Sequence, residues 1–360
     1  MKLSSLSVVN FKNYASFEMQ PASGINCFIG NNGVGKTNLL DAIYYLSYCK
    51  SFFNPSDSQN IKYNEDFFVI EGEYQLEATI EKLYCGVKKG HKKKFKRNAK
   101  EYDRLADHIG SFVSVMVTPN DVELILGGSD VRRKFLDGII AQFDKQYLDH
   151  LFKYNKVLQQ RNALLKYFQK ERTWNEDNLK VWDESLMQYG QYIFEKRSNF
   201  LEAFKPIFNE RYQSITDSAE VVDIQYVSQL NSLNFNDLLL STRDKDKVLA
   251  YTNGGIHKDD LLFNLKGYPV KKYGSQGQQK SFLIALKFGQ FAFLKKSKNY
   301  FPILLLDDIF DKLDQQRIYS LMKLVSNKEF GQVFITDTNE DRVRQILDHH
   351  KITYNLIAIG

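Results

Sequence analysis

Cysteine is scarce in this 360-residue chain, with three in all. Cys27, Cys49 and Cys85 lie far apart and are odd in number. That argues against a disulfide framework and a cysteine-based zinc site, and it fits a reducing compartment. Long apolar runs are also missing. No stretch approaches the roughly 18–20 residues a membrane span needs, so no membrane role is expected. The first residues, MKLSSLSVVNFKNY, lack a continuous apolar segment and a small-residue cleavage site. They do not read as a signal peptide, and a cytoplasmic protein is the expectation. Solenoid-period repeats and long low-complexity tracts are absent. Hydrophobic residues make up 43%, enough for a full core, which excludes global disorder.

The net charge of +6 has a local source. Val87 to Lys100, VKKGHKKKFKRNAK, holds eight Lys and Arg and no acid. Setting those eight aside leaves 41 of the 49 basic residues against 43 acidic ones. Lys88, Lys89, Lys92, Lys93, Lys94, Lys96 and Arg97 are therefore candidate DNA-phosphate contacts. A solvated hairpin with lysines guarding its edge is the equal alternative.

Hydrophobic spacing divides the chain. Leu3, Leu6, Val8 and Phe11, then GINCFIG, read as strands, and TNLLDAIYYLSYC follows with helical spacing. DFFVIEGEYQLEATIEKLYCGV and SVMVTPND read as further strands. From Val131 to about Ile215 the pattern is helical in three pieces, with an end or kink expected near Pro206. These pieces are too interrupted for a long coiled coil. Strand signals return in AEVVDIQYVS and DLLFNLKGYPV. A helix after Ser275, the strand FPILLLDD, a helix from Gln315 and the strand GQVFIT follow. The expected class is α/β: a mixed-sheet head of residues 1–118 and 219–360, split by a helical lobe of residues 119–218.

Three segments carry chemistry. Gly30–Asn31–Asn32–Gly33–Val34–Gly35–Lys36–Thr37 matches G-x-x-x-x-G-K-[ST] between a strand and a helix. Its glycines let backbone N–H groups curl around phosphates, and the helix N-terminus, where Asn38 follows, adds positive charge. Lys36 is expected to reach the β- and γ-phosphates and Thr37 to hold Mg²⁺. ATP is the expected nucleotide. ILLLDDIFDKLD, Ile303 to Asp314, reads as a buried strand ending at Asp307, where a carboxylate binds Mg²⁺. Asp308 is placed to polarise a water as general base. The third segment, YGSQGQQKS, opens a helix at Ser275–Gln276–Gly277–Gln278, with hydroxyl, N–H groups and helix dipole aimed at an anion. By itself it reads first as an ordinary helix N-cap.

Together with the first two segments, SQGQ resembles the signature loop of ABC ATPases, which touches the γ-phosphate held by a second subunit. The resemblance makes FDKLD a D-loop, with Asp314 near a dimer interface. The switch position after the next strand, often His in that family, falls on Thr336 or Asp337. The glutamine-loop position falls in VTPNDVE. NFKNY, TPNDVELILGGSDVRRKFLD, GGIHKDDLLFNL and LLLDDIFDKLD extend the similarity over essentially the whole chain. They resemble the RecF family of bacterial DNA replication and repair proteins. Ile256, Lys258, Lys280 and Phe53 depart from that family's usual residues without removing a phosphate ligand. The resemblance implies an SMC-type head without its coiled coil and an ATP-dependent homodimer on duplex DNA. It also implies weak DNA-stimulated ATP hydrolysis and cooperation with RecO and RecR in loading recombinase at gaps.

Several residues have two readings. Lys12 and Tyr14 reach the nucleotide or pack at a strand edge. Arg132 and Arg133 bind DNA or pair with acids. His257, beside Asp259 and Asp260, is structural or a switch, because neighbouring acids on a strand face opposite ways and make a poor metal cluster. The competing functions are a monomeric P-loop small-molecule ATPase or kinase, a transporter's nucleotide-binding subunit, and a nucleotide-gated module with negligible turnover.

Overall fold

The computed structural model describes residues 1–216, 220–310, 315–326 and 329–360. The chain opens with β1 (Lys2–Phe11) and β2 (Tyr14–Met19), then β3 (Ile25–Ile29), the glycine-rich loop and α1 (Lys36–Tyr48). β4 (Phe67–Leu76), β5 (Thr79–Lys88), β6 (Lys94–Arg97) and β7 (Lys100–Glu101) follow, then β8 (Ser114–Val117). The helical part holds α2 (Glu123–Leu126), α3 (Ser129–Phe143), α4 (Lys145–Lys170) and α5 (Glu176–Thr216). Next come β9 (Val222–Val227), α6 (Phe235–Leu249), β10 (Asp260–Leu265), β11 (Tyr268–Pro269) and α7 (Val270–Tyr273). The chain ends with α8 (Gln276–Lys298), β12 (Ile303–Asp307), α9 (Gln315–Ser326), β13 (Val333–Asp337), α10 (Glu340–His349) and β14 (Tyr354–Ala358).

The chain forms two compact units. The first comprises Met1–Val122, Glu210–Ala219 and Ser275–Gly360, and the second Glu123–Asn209 and Glu220–Gly274. The first unit holds two sheets. One is antiparallel, ordered β2-β1-β4-β5-β6-β7, and the other is parallel, ordered β14-β3-β13-β12-β8. Every residue of β3, β12 and β13 is buried, which is why these strands read as unbroken apolar runs. β4 instead alternates, with Phe68, Ile70 and Tyr74 turned inward. α1 packs against strands of both sheets and buries Leu39, Leu40, Ile43 and Leu46. A helix covered on both sides has little room for a polar face. Its one acid, Asp41, is buried and must be paired.

The second unit differs from the boundary expected at 119–218. Residues 220–274, whose strand pattern suggested the head, group instead with the helices. β9 and β10 pair in antiparallel register from Leu265↔Val222 to Asp260↔Val227. Buried guanidinium groups then fasten this segment to the helices. Arg161 of α4 binds Asp183 of α5 and Asp246 of α6, each at 2.7 Å. Arg197 of α5 binds Asp137 of α3 at 2.9 Å and Asp259 at 3.0 Å. Pro206 does not end its helix, since α5 runs on through it. Phe200, Phe204 and Phe208 are buried nearby, with rings stacked at 5.1 and 6.4 Å. That packing offsets the missing backbone hydrogen bond.

Candidate nucleotide-binding site

The glycine-rich loop is shaped by close approaches. A Cβ on Gly30 would strike the carbonyl of Ile359, whose own N–H donates to Ile29 at 2.7 Å. Gly33 and Gly35 have φ of 85° and 111°, a region open chiefly to glycine. Gly35 also has no room for a side chain, because the Asn13 amide and the Tyr14 ring occupy that space. Asn13 Nδ2 donates to the Val34 carbonyl at 2.8 Å, and Asn38 Nδ2 donates to Asn13 Oδ1 at 2.7 Å. Asn13 thus braces the loop from the β1–β2 turn. The Lys36 ammonium curls back over the loop and donates to the carbonyls of Gly30 at 2.7 Å and Asn31 at 2.8 Å.

The loop faces a cavity of about 240 Å³, lined on that side by Asn32, Gly33, Gly35, Lys36, Thr37 and Asn38. Its other walls are Asp307, Asp308, Thr336 and Thr338. The strand order explains the meeting. β13 lies between β3 and β12, so the C-terminal ends of all three open on one crevice. Thr37 Oγ1 donates to Asp307 Oδ1 at 2.7 Å, and Thr336 Oγ1 donates to the same oxygen at 2.8 Å. The Asp308 N–H donates to Thr336 Oγ1 at 2.9 Å. Burial raises the Asp307 carboxyl above its usual range, while the two hydroxyls and Lys36 act the other way. Asp308 has φ 48°, an uncommon backbone for a non-glycine residue and one that clusters at functional sites. Thr37 and Asp307 together offer adjacent hard oxygen donors, a set that suits hydrated Mg²⁺.

Of the two residues expected at the switch position, Thr336 lines the cavity. Asp337 is buried elsewhere, accepting from Arg342 at 2.6 Å and from the Asn339 N–H at 2.7 Å. At the expected glutamine-loop position, Asp121 accepts from Thr118 N at 2.7 Å and pairs with Lys287 at 2.6 Å. Lys12 pairs with buried Asp41 at 2.6 Å, which favours its packing role over phosphate contact. Tyr14 is half-buried against the loop, and burial pushes its phenol up to about 12. Ser275–Gln278 do not line the cavity. Ser275 caps α8, its Oγ accepting from Gln278 N at 3.2 Å while Gln278 Oε1 accepts from Ser275 N at 2.8 Å. Asp314 lies outside the described residues.

The remaining candidates separate. Arg132 makes a two-point pair with Asp260 at 2.6 and 2.9 Å, and Arg133 donates to the Asp259 carbonyl at 2.6 Å. Both are structural in this unit. His257 bonds Tyr154 at 2.8 Å and the Thr252 carbonyl at 3.0 Å, and burial holds its imidazole down to about 4. Within the basic segment, Lys93 is tucked against the end of α1, donating to Asp57 at 2.8 Å and the Cys49 carbonyl at 2.5 Å. Arg97 makes a two-point pair with Glu81 at 2.8 and 2.9 Å. Both are engaged in ion pairs within the fold, with the Arg97 side chain still partly exposed. Lys96 is half-buried with its ammonium over the Tyr84 ring. Lys88, Lys89, Lys92 and Lys94 remain exposed.

The family model described as RecF/RecN/SMC N terminal domain matches residues 2–356. The DNA replication and repair protein RecF of Flavobacterium johnsoniae is 50% identical over 359 residues, with all of both chains covered. The chain belongs to the RecF family. RecF of Parabacteroides distasonis is 51% identical over 347 residues, covering 96% of this chain and 94% of that one. The structure of the recombination mediator protein RecF-ATPrS in the RecFOR pathway superposes with a TM-score of 0.89 at 30% identity, covering 99% and 96% of the two chains. An Smc head domain from Pyrococcus furiosus matches with a TM-score of 0.57 at 16% identity, covering 100% and 94%, which establishes the fold alone. The head is therefore that of an ABC-type ATPase. Among the described residues, no helix is long and apolar enough to cross a membrane.

Proposed function

We propose that this RecF-family chain is an ATP-driven homodimer that closes on duplex DNA in recombinational repair and replication maintenance. Each ATP is held by Lys36 and Thr37 of one copy and by Ser275 and Gly277 of the other. The observation that carries this reading is the cavity where Lys36, Thr37, Asp307 and Asp308 converge. Gly30 to Asn38 wrap the phosphates with backbone N–H groups. Mg²⁺, bound by Thr37 and Asp307, would neutralise charge on the β- and γ-phosphates. Lys36 exchanges its two carbonyl partners for phosphate oxygens. Asp308 orients and polarises the attacking water, and Thr336 fixes the Asp307 carboxylate and the Asp308 backbone N–H through its hydroxyl. Ser275, Gln276, Gly277 and Gln278 present the positive end of α8 to the second copy's γ-phosphate. Asp314 belongs to the same interface. Hydrolysis removes the bridging phosphate, the copies part and DNA is released. Turnover is weak and stimulated by DNA, and RecO and RecR are the partners in loading recombinase at gaps.

The capping box at Ser275 is what a monomeric P-loop small-molecule ATPase or kinase would also have. DNA affinity separates the two. Measured by fluorescence anisotropy on duplex DNA, affinity should rise at least about tenfold with ATP–Mg²⁺, and Asp308→Asn should prolong the bound state. An affinity indifferent to ATP would contradict the proposal.

A further inference from the structure

Arg317 stands in the first turn of α9 and is half-buried. Its side chain reaches the first turns of α8. Arg317 Nε donates to Ser281 Oγ at 2.6 Å, and Ser281 Oγ donates to the Gly277 carbonyl at 3.1 Å. The guanidinium also lies against Gly277. A Cβ built there would sit 3.0 Å from Nη2, 3.3 Å from Nη1 and 3.4 Å from Cζ. Gly277 does not have a positive φ. Its lack of a side chain therefore answers to space, and the space is taken by Arg317.

We infer that Arg317 is a positioning residue of the signature loop, setting how firmly α8 grips a γ-phosphate presented by a second copy. This rests on the shared-site reading above. The physical reasons are two. The Arg317–Ser281–Gly277 chain of hydrogen bonds fixes the Gly277–Gln278 peptide in the first turn of α8, whose Gln278 N–H holds the Ser275 hydroxyl, and preorganised donors bind charge better than mobile ones. The permanently charged, planar guanidinium then adds positive charge behind those donors.

The test splits two affinities in the full-length protein, using ATPγS with Mg²⁺. Binding by a single copy is read by nucleotide titration at protein concentrations too low for dimers. Dimerisation is read by sedimentation. Arg317→Met should leave single-copy binding within about twofold and weaken nucleotide-driven dimerisation at least about tenfold. Ser281→Ala should act in the same direction. Arg317→Lys should not restore full dimerisation, because its ammonium keeps the charge but cannot reproduce the fork against Gly277. Should Arg317→Met fold poorly, the Lys and Ser281→Ala variants carry the same comparison. Ser275→Arg is the control. If it abolishes dimerisation while Arg317→Met and Ser281→Ala leave it unchanged, the inference is overturned and the shared-site reading stands. Loss of single-copy binding in step with dimerisation would also overturn it, reducing Arg317 to general support. If Ser275→Arg itself has no effect, the shared-site reading fails first and the inference falls with it.

Discussion

Asp307 is held at a cost to the fold. Its carboxylate is buried, its proton affinity is raised by that burial, and two threonine hydroxyls point at one of its oxygens. A raised carboxyl means the charged form is disfavoured in the folded state at neutral pH. Asp307→Asn keeps an oxygen for both hydroxyls and removes the charge. Thermal unfolding without nucleotide should therefore occur at a higher temperature in this variant at neutral pH. The difference should shrink as pH falls into the carboxylate range, where the native side chain becomes neutral too. ATP hydrolysis by the same variant should fall at least about 100-fold. The buried histidines work in the opposite sense. Burial holds both His108 and His257 down to about 4, against an ordinary value of 6.5. The unfolded chain then binds protons first as pH falls. Their stabilisation is complete above about 6.5 and is lost progressively toward about 4, by up to roughly 3 kcal/mol each. Urea unfolding followed from about pH 7 to about pH 5 should show this decline, and His257→Gln should flatten it.

At the scale of elements, the basic hairpin divides into two kinds of lysine. Lys93 is anchored at the C-terminal end of α1, and α1 has 13 residues. That end lies about 20 Å along the helix from the phosphate loop. Lys93→Ala leaves Asp57 with the Tyr45 hydroxyl but no cationic partner, and should cost about 2 kcal/mol in urea unfolding. It should leave the salt dependence of DNA binding unchanged. Reversing Lys88, Lys89, Lys92 and Lys94 to Glu should do the reverse. The slope of log affinity against log salt should then fall by about 1 for each phosphate no longer neutralised. An unchanged slope would remove the hairpin from the DNA footprint.

What the sequence disclosed follows the same division. The phosphate loop and the strand before Asp307 were legible because glycine spacing and an apolar run are local signals. α3, α4 and α5 were legible by period. The bracing of the loop by Asn13 and Ile359 was not, because it joins residues far apart in sequence. β14 escaped notice for the same reason: the short segment Tyr354–Ala358 gains its strand character from pairing with β3. Residues 220–274 looked like part of the head because strand patterning does not say which helices a sheet will meet. Lys93 and Arg97 looked free because charge runs do not disclose their partners.

For the whole molecule, the proposed function turns on the Ser275–Gln278 loop. Within one copy, Ser275 caps its own helix. Across two copies, the same hydroxyl and helix end would complete the cavity of the other. The most direct measurement is solution mass by light scattering, with and without ATP–Mg²⁺, in Asp308→Asn protein. A monomer that becomes a dimer with nucleotide, and fails to do so when Ser275→Arg is added, is the predicted result. A mass that ignores ATP, or a dimer indifferent to Ser275→Arg, would contradict the shared site and leave the loop as a helix cap.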